Sequence, residues 1–423
     1  MRNTEHFKNK KIVIVGLARS GVACANLLFE LGASVSVTDN KDNDSTRQNL
    51  AKLKSTRIKV ELGKHTEEFV KGRDLLVLSP GVTNDALPVV WAEKSNIPVI
   101  SETELAWILC PATVIAVTGA NGKTTVTTLI GRILEKAGIK VFVCGNIGNP
   151  FSGEVEKMKE GDFVSLEVSS FQLERIESFK PKIALMLNFT PNHLDRYKDM
   201  QEYLCAKKRI FMNQDKADYL VLNGEDPVLK ELAKETGAKV VFFKQEEGLN
   251  PNQAAVLAVG SILGIDKESI KNVFKEFKGI EHRMELVTEI NGVKFINDSK
   301  ATTVDSAIWA LNNIRTPIVL IAGGKHKGVD YSAIVDLARK KVREVILIGE
   351  AKDKIRSAFR GAFSLDEASD MQEAVRKAYQ KAKPGDSVLL SPMCSSFDMF
   401  SSFEERGSVF KDAVLDLAKN AAR

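Results

Sequence analysis

The chain has few cysteines and histidines for its 423 residues, with five of each. The cysteines are odd in number and lie far apart, without the C-x-x-C spacing of a zinc site. A framework of disulfides is therefore not indicated, and the usage favours a reducing cytosol. The five positions are Cys24, Cys110, Cys144, Cys205 and Cys394.

Long hydrophobic runs are also missing. No apolar stretch approaches the roughly 18 residues of a membrane span, and Met1–Lys11 is polar, unlike a signal peptide. The formal net charge is only +5 and the basic residues are scattered, which suits anionic small molecules and does not by itself argue for nucleic acid, so we expect no nucleic acid partner. We expect a soluble cytoplasmic protein that does not insert into membranes.

Strand and helix patterns alternate along almost the whole chain. This alternation predicts an α/β fold with parallel sheets. The length allows two or three domains, each with a core of its own. We place three domains at residues 1–110, 111–282 and 283–423.

The most informative segment runs from Gly119 to Thr125, with the sequence Gly-Ala-Asn-Gly-Lys-Thr-Thr. It follows an apolar strand, Thr113 to Val117, and precedes a helical pattern to Lys136. Glycines and a helix N-terminus bring backbone N–H groups to a phosphate. Lys123 would reach the outer phosphates and Thr124 would bind Mg²⁺. The alternative is an ordinary glycine turn at the start of a helix.

A second glycine loop lies near the N-terminus, at Gly16-x-Ala18-x-x-Gly21. It resembles the dinucleotide fingerprint, with Asp39 at the end of the next strand as a ribose-binding acid. The pattern fits a nicotinamide cofactor, another nucleotide diphosphate, or a purely structural turn.

Three further side chains follow strands or lie on a basic helix in the central segment. Glu167 ends a strand beside the phosphate loop, where a carboxylate suits Mg²⁺, and His193 follows another strand. Lys207 lies in a basic amphipathic pattern, for which a solvated charged face is the simpler interpretation. Each of the three also has a purely structural interpretation.

The third segment has loops rich in Gly, Lys and Asp after three strands. They are 297–302, 323–328 and the pair Ser391-Pro392. Open α/β sheets bind ligands at such strand ends, so these loops predict a site, although each could be a simple turn.

Four motifs in this order resemble the Mur ligases, the ATP-dependent amino-acid-adding enzymes of peptidoglycan synthesis. The motifs are Thr-Gly-Ala-Asn-Gly-Lys-Thr-Thr, Glu-Val-Ser-Ser-Phe-Gln-Leu-Glu, Asn-Asp-Ser-Lys-Ala-Thr and Ser-Pro-Met-Cys-Ser-Ser-Phe-Asp-Met-Phe. The resemblance implies an N-terminal Rossmann-like domain, a central P-loop-type mononucleotide-binding sheet and a C-terminal Rossmann-like domain. The last two motifs and the first glycine loop favour the member that adds D-glutamate.

The resemblance implies an ATP site with two Mg²⁺ ions, for which Mn²⁺ could substitute. Thr124 would hold one ion, and Glu167 and His193 the other. Lys207 matches the lysine that the family carbamylates with CO₂, which converts a cation into an anionic oxygen ligand. The catalytic residues would be Lys123, Glu167, His193 and Lys207. The ATP-binding residues would be Gly119, Ala120, Asn121, Gly122, Lys123, Thr124, Thr125, Gln253 (often Asn in the family), Arg283, Asp298 and Lys300.

The other implied partners are UDP-N-acetylmuramoyl-L-alanine and D-glutamate, bound by a monomer. Thr302, Lys327, Ser396 and Phe403 would grip D-glutamate, since a cation and hydroxyls suit a dicarboxylate. The residues for the UDP substrate would be Gly16, Leu17, Ala18, Arg19, Ser20, Gly21, Asp39, Asn40, Asn146, Ser169 and Gln172.

The implied reaction phosphorylates the substrate carboxylate with ATP, and the amine of D-glutamate then attacks the acyl phosphate. Three alternatives remain at this point. They are another Mur-type or folylpolyglutamate-type ligase, an NAD(P)-dependent oxidoreductase that uses the first glycine loop, and a nucleotide-switch module.

Overall fold

The computed structural model describes residues 3–190, 196–277, 279–326 and 328–421. The chain divides into two compact units, Met1–Phe277 and Lys278–Arg423. The first unit contains two sheets and the second contains one. The domain boundaries proposed from the sequence remain predictions.

The first sheet has five parallel strands in the order β3-β2-β1-β4-β5. The strands are β1 (Lys11–Val15), β2 (Ser34–Asp39), β3 (Lys59–Leu62), β4 (Leu75–Leu78) and β5 (Val99–Ser101). Its helices are α1 (Arg19–Glu30), α2 (Asp44–Leu50), α3 (Glu67–Val70), α4 (Leu87–Lys94) and α5 (Glu102–Leu109).

The central sheet has six parallel strands in the order β11-β10-β9-β6-β8-β7. The strands are β6 (Thr113–Thr118), β7 (Val141–Gly145), β8 (Phe163–Glu167), β9 (Ile183–Met186), β10 (Tyr219–Asn223) and β11 (Lys239–Phe243). The helices are α6 (Lys123–Lys136), α7 (Ser170–Leu173), α8 (Met200–Lys208), α9 (Pro227–Leu232), α10 (Pro251–Ile262) and α11 (Lys267–Glu276).

The second unit has six strands in the order β12-β13-β17-β14-β15-β16. They are β12 (Glu285–Ile290), β13 (Val293–Asn297), β14 (Ile318–Gly323), β15 (Val342–Ile348), β16 (Ser364–Glu367) and β17 (Ser387–Leu390). Its helices are α12 (Val304–Asn313), α13 (Val335–Lys341), α14 (Lys352–Phe359), α15 (Met371–Lys381) and α16 (Phe403–Ala421). Short 3₁₀ turns occur at Thr4–His6, Phe151–Gly153, Val155–Lys157, Arg209–Phe211 and Ser332–Ile334.

The α/β prediction is confirmed, with one difference in strand direction. Strand β12 is antiparallel to β13, whereas every other neighbouring pair of strands is parallel. A tight turn at Asn291-Gly292 joins β12 to β13, and antiparallel neighbours need only such a short connection. Among the described residues, no helix is long and apolar enough to cross a membrane.

Helix α5 joins the first sheet to the central one through two buried carboxylates. Glu102 Oε1 accepts hydrogen bonds from the N–H and hydroxyl of Ser152, both at 2.7 Å. Glu104 accepts from the N–H groups of Ser178 and Phe179, at 2.7 and 3.0 Å. Burial raises the pKa of Glu102. These bonds fix the placement of one sheet against the other because a buried carboxylate needs its donors.

Candidate active site

The phosphate loop connects the buried strand β6 to helix α6. Gly122 precedes the helix with φ of 83° in the left-handed region and, as a glycine, provides no side-chain cap of its own. A side chain on Gly122 would overlap Asn252 Oδ1 and lie 3.2 Å from Asn252 Cγ. The loop thus ends at the N-terminus of a helix, whose first N–H groups are the kind of donors that bind phosphate oxygens.

Asn188, at the end of the neighbouring strand β9, holds this loop in place. Its Oδ1 accepts from the Asn121 N–H at 2.9 Å, and its Nδ2 donates to the Asn121 carbonyl at 3.1 Å. The two bonds leave little freedom for the peptide at Asn121. The sequence pattern assigned no role to Asn188, because the partner lies 67 residues away.

Two lysines converge on the carbonyl of Gly119. Lys123 Nζ donates to the carbonyls of Gly119 and Ala120, both at 3.0 Å. Lys207 Nζ donates to the same Gly119 carbonyl at 3.0 Å and to Thr118 Oγ1 at 3.3 Å. Its ammonium also lies 4.8 Å from the ring centre of Tyr203.

Lys207 is only 1% exposed, so the solvated charged face considered for this helix is wrong for this residue. Burial, and then the charge of Lys123, lower the pKa of Lys207 well below its ordinary value. A lysine in such surroundings is readily deprotonated, and the neutral amine is the nucleophilic form.

Glu167 lies at the same edge of the sheet, since it pairs with Val117 across strands β8 and β6. Its Oε1 accepts from Asn146 Nδ2 at 2.7 Å. Its Oε2 is buried and has no hydrogen-bond partner within the described part of the chain. An orphaned carboxylate oxygen beside a phosphate loop fits a cation, since a buried charge needs a partner or a metal.

Thr124 and His193 are two further predicted metal ligands. Thr124 is the second residue of α6, directly after the phosphate loop, and it is buried. His193 lies outside the described residues. Within those residues, no group of three or more His, Cys, Asp or Glu side chains is placed to hold a metal.

Ser169 and Gln172 form a capping box at the start of α7. Gln172 Oε1 accepts from the N–H of Ser169 at 3.0 Å and from its hydroxyl at 2.9 Å. Both side chains are buried and partnered locally, so contact with a substrate remains a prediction.

The first glycine loop connects β1 to α1 at the carboxyl edge of the first sheet. Helix α1 begins at Arg19 without a side-chain cap. Asp39 accepts from the N–H groups of Leu17 and Lys41, at 2.7 and 2.9 Å. Asp39 therefore holds the loop, while Asn40 is exposed beside it. Uncapped N–H groups at this edge suit a diphosphate.

Gln253, a predicted ATP-binding residue, uses its side chain at the start of its own helix. Gln253 Oε1 accepts from the Asn250 N–H at 3.0 Å and so closes a capping box at the start of α10. The neighbouring Asn252 places its carboxamide over Gly122 of the phosphate loop. Asn252 is therefore the better candidate on this helix, and the sequence reasoning missed it.

In the second unit, three strand-end loops converge. Asp298, after β13, is buried and accepts from the Met284 N–H at 3.2 Å and from Ser391 Oγ at 3.1 Å. Burial raises its pKa to about 7, against smaller opposing effects of the hydrogen bonds from Met284 and Ser391 and of the charge of Arg283. Lys300 Nζ lies 5.8 Å from the ring centre of Phe403.

Arg406 on α16 ties two of these loops together and was also missed from the sequence. It is fully buried and donates to the carbonyls of Ser299, Cys394 and Ser395, at 2.8, 3.1 and 3.2 Å. Burial lowers its pKa to about 10. Ser396 lies on the loop that Arg406 holds, and Thr302 follows the other. Lys327 lies outside the described residues.

Three family descriptions match the chain: a MurD-like N-terminal domain at residues 10–101, a Mur ligase middle domain at 117–303, and a Mur ligase glutamate ligase domain at 282–394.

Among curated proteins, the chain is similar to UDP-N-acetylmuramoylalanine--D-glutamate ligases. That of Thermoanaerobacter pseudethanolicus is 44% identical over 97% of this chain and 99% of its own. That of Geotalea uraniireducens is 41% identical over 98% of this chain and 99% of its own.

Solved structures show the same fold at low identity. The UDP-N-acetylmuramate-alanine ligase of Thermotoga maritima superposes with a TM-score of 0.57 at 19% identity, covering 96% of this chain and 100% of its own. The FolC protein of E. coli gives 0.55 at 17% identity, covering 75% of this chain and 92% of its own.

Proposed function

The chain belongs to the Mur ligase family, and we propose that it joins D-glutamate to UDP-N-acetylmuramoyl-L-alanine at the expense of ATP. The proposal rests on similarity to D-glutamate ligases over nearly the full length of the chain, at 39–44% identity, together with an intact phosphate loop. A folylpolyglutamate-type ligase is not favoured, because FolC covers only 75% of the chain, at 17% identity. An oxidoreductase is not favoured either, since it has no use for the Lys123 loop.

The chemistry explains why a phosphate loop is needed. A carboxylate resists attack by an amine because of its charge and because oxide is a poor leaving group. Its oxygen therefore attacks the γ-phosphorus of ATP, which releases ADP and gives an acyl phosphate. The amine of D-glutamate then attacks the carbonyl carbon, loses a proton and expels phosphate.

The residues of the phosphate loop would stabilise the first of these steps. The first N–H groups of α6 and the ammonium of Lys123 would contact the β- and γ-phosphates of ATP. Phosphoryl transfer depends mainly on alignment and neutralisation of charge. Asn188 and Asn252 would contribute by fixing the loop itself.

Mg²⁺ fits the donor set at this edge. Glu167 Oε2 would hold one ion, with His193 as its other predicted ligand, and the hydroxyl of Thr124 would hold the second, while a modified Lys207 would add anionic oxygen ligands. When bound, Mg²⁺ would neutralise charge on the phosphates and on the reacting oxygens.

Carbamylation of Lys207 has a physical basis in its burial. The neutral amine would add to CO₂ and lose a proton, giving a carbamate with two oxygens. A buried ammonium next to Lys123 is unfavourable, whereas an anion there would be stabilised by Lys123 and by Mg²⁺.

The remaining predicted roles are part of the proposal. Arg283, Asp298 and Lys300 would contact ATP, and Thr302, Lys327, Ser396 and Phe403 would bind D-glutamate. The UDP group would lie on the loop from Gly16 to Gly21 and on Asp39–Asn40, and Asn146, Ser169 and Gln172 would contact the rest of that substrate. The cytoplasmic location and the monomeric state also remain proposals.

The test is a coupled ADP-release assay with a panel of UDP-muramoyl acceptors and of amino acids, including L-glutamate. We expect ADP release only when acceptor and D-glutamate are both present, with the amide product detected by mass spectrometry. Full-rate ATP hydrolysis without an acceptor, or release with no amide, would contradict the proposal.

A further inference from the structure

Glu174 lies at the centre of a polar cluster that joins the first sheet to the central one. Its carboxylate accepts from Tyr197 Oη at 2.6 Å, from Asn84 Nδ2 at 2.7 Å and from Arg196 Nη2 at 3.0 Å. The side chains of Glu174 and Arg196 are only 11% and 14% exposed. We name Glu174, Asn84, Arg196 and Tyr197 the Glu174 cluster.

The cluster reaches the substrate side of the first sheet through the loop after β4. Arg196 donates to the carbonyl of Val82 at 3.1 Å and to that of Pro80 at 3.4 Å. In the same loop, Ser79 Oγ donates to the Gly16 carbonyl at 3.1 Å. The loop that Arg196 holds is thus in direct contact with the proposed UDP-binding loop.

On its other side the cluster contacts helix α7, which follows Glu167 and begins directly after Ser169. The guanidinium of Arg196 lies 4.0 Å from the ring centre of Phe171, a distance typical of a cation–π contact. Burial, and then Glu174, raise the pKa of Tyr197, so its hydroxyl stays a donor to the carboxylate.

Arg175 extends these contacts. Its Nε donates to Asn84 Oδ1 at 2.7 Å, which orients the amide so that its NH₂ faces Glu174. The Arg175 carbonyl accepts from the N–H of Ser101 at the end of β5, at 2.8 Å. Side chains of the central segment therefore hold loop 79–84, and a main-chain bond holds the end of β5.

From this placement we infer that Glu174 and Arg196 are positioning residues, which fix the distance between the UDP-binding loop and the phosphate-loop edge. The inference rests on the proposed function, in which one substrate must reach both places. A substrate bound at its UDP end presents its carboxylate correctly only if this distance is constant, and small misplacement of reacting groups is costly.

The test compares Glu174→Gln and Arg196→Lys with the wild-type chain. Glutamine keeps the size of Glu174, but its NH₂ would face at least one N–H or O–H donor of the cluster. Lysine keeps the charge of Arg196, but it cannot donate in several directions from one plane. The control is Lys140→Met, which removes an ion pair of 3.2 Å with Asp162 at the opposite edge of the central sheet.

For each variant we would measure Tm, the Kd of UDP alone, and the KM values for ATP and for UDP-N-acetylmuramoyl-L-alanine. We expect KM for the full acceptor to rise by about 10- to 100-fold, with a smaller change in kcat. The Kd of UDP and the KM for ATP should stay within about twofold of wild type, because each ligand contacts only one side. Lys140→Met should match wild type in every ligand parameter.

Two results would overturn the inference. One is an equal loss of affinity for UDP and for the full acceptor, which would make the cluster only a support of the first sheet. The other is an unchanged KM for the acceptor in both Glu174→Gln and Arg196→Lys. If wild type binds UDP but forms no amide, the proposed function fails first and the inference fails with it.

Discussion

Replacing Gly21 with alanine should separate binding of the UDP substrate from binding of ATP. Gly21 is the last residue of the first glycine loop and lies buried in the first turn of α1. An added Cβ would overlap the Gly16 carbonyl oxygen, and would lie 3.0 Å from the Gly16 carbonyl carbon and 3.2 Å from Ser79 Oγ. The nearest obstacle is backbone, which cannot rotate away.

The size of the effect follows from these distances. Carbon atoms in contact are ordinarily about 3.5–4.0 Å apart, so helix α1 must move away from β1 by roughly 1 Å. Displacement of that order at a binding loop can cost about 100-fold, or about 2.7 kcal/mol. We expect KM for UDP-N-acetylmuramoyl-L-alanine to rise by about that factor, with the Kd of ATP unchanged.

Gly153→Ala is the matched control, because it also packs against α1 and its added Cβ would lie at ordinary contact distances, 3.6 Å from Ala23 Cβ and 3.9 Å from Pro150 Cδ. The assay is steady-state ADP release over a range of acceptor concentrations, with ATP binding measured separately by calorimetry. If Gly21→Ala kept a wild-type KM for the acceptor, the first glycine loop would not be the UDP site. If it lost ATP binding as well, the effect would be global.

Three other substitutions test the remaining parts of the site. Lys123→Ala should lose at least about 100-fold in kcat while Tm is kept, since the lysine would contact the phosphates of ATP; near-normal turnover would contradict this. Lys207→Ala should be nearly inactive and partly rescued by short carboxylic acids that occupy the vacated space. Absence of rescue, with an unmodified Lys207 in active enzyme, would contradict carbamylation. Asp298→Asn should change the pH dependence of unfolding, measured by thermal melts between pH 4 and 7.

The sign of the Asp298 effect follows from its raised pKa. The pKa of Asp298 is about 7 in the folded chain, against an ordinary value of 3.8. Between these pH values the folded chain therefore binds one more proton than the unfolded chain. Stability from this group is therefore present below about pH 4 and is lost as pH rises through 7, by up to roughly 4 kcal/mol. Relative to wild type, Asp298→Asn should gain stability with rising pH, and parallel curves would contradict the prediction.

Much of the fold could be read from local pattern. The runs at β1, β6, β9, β14 and β17 are buried apolar segments, a pattern that by itself indicates strands. Strands β3, β12 and β16, which lie at sheet edges, lack such a pattern. Each contacts only one neighbouring strand and is partly exposed, so its sequence need not be apolar throughout.

The sequence alone determined the features whose cause lies within a few residues: the phosphate loop before α6, the glycine loop before α1, and the placement of Glu167 at a strand end. Tertiary structure decided the rest. Asn252 rather than Gln253 faces the phosphate loop because one residue turns a helix by about 100°, and only packing fixes which side points inward. Glu174, Arg406 and Asn188 act on partners tens of residues away, and no local pattern encodes such contacts.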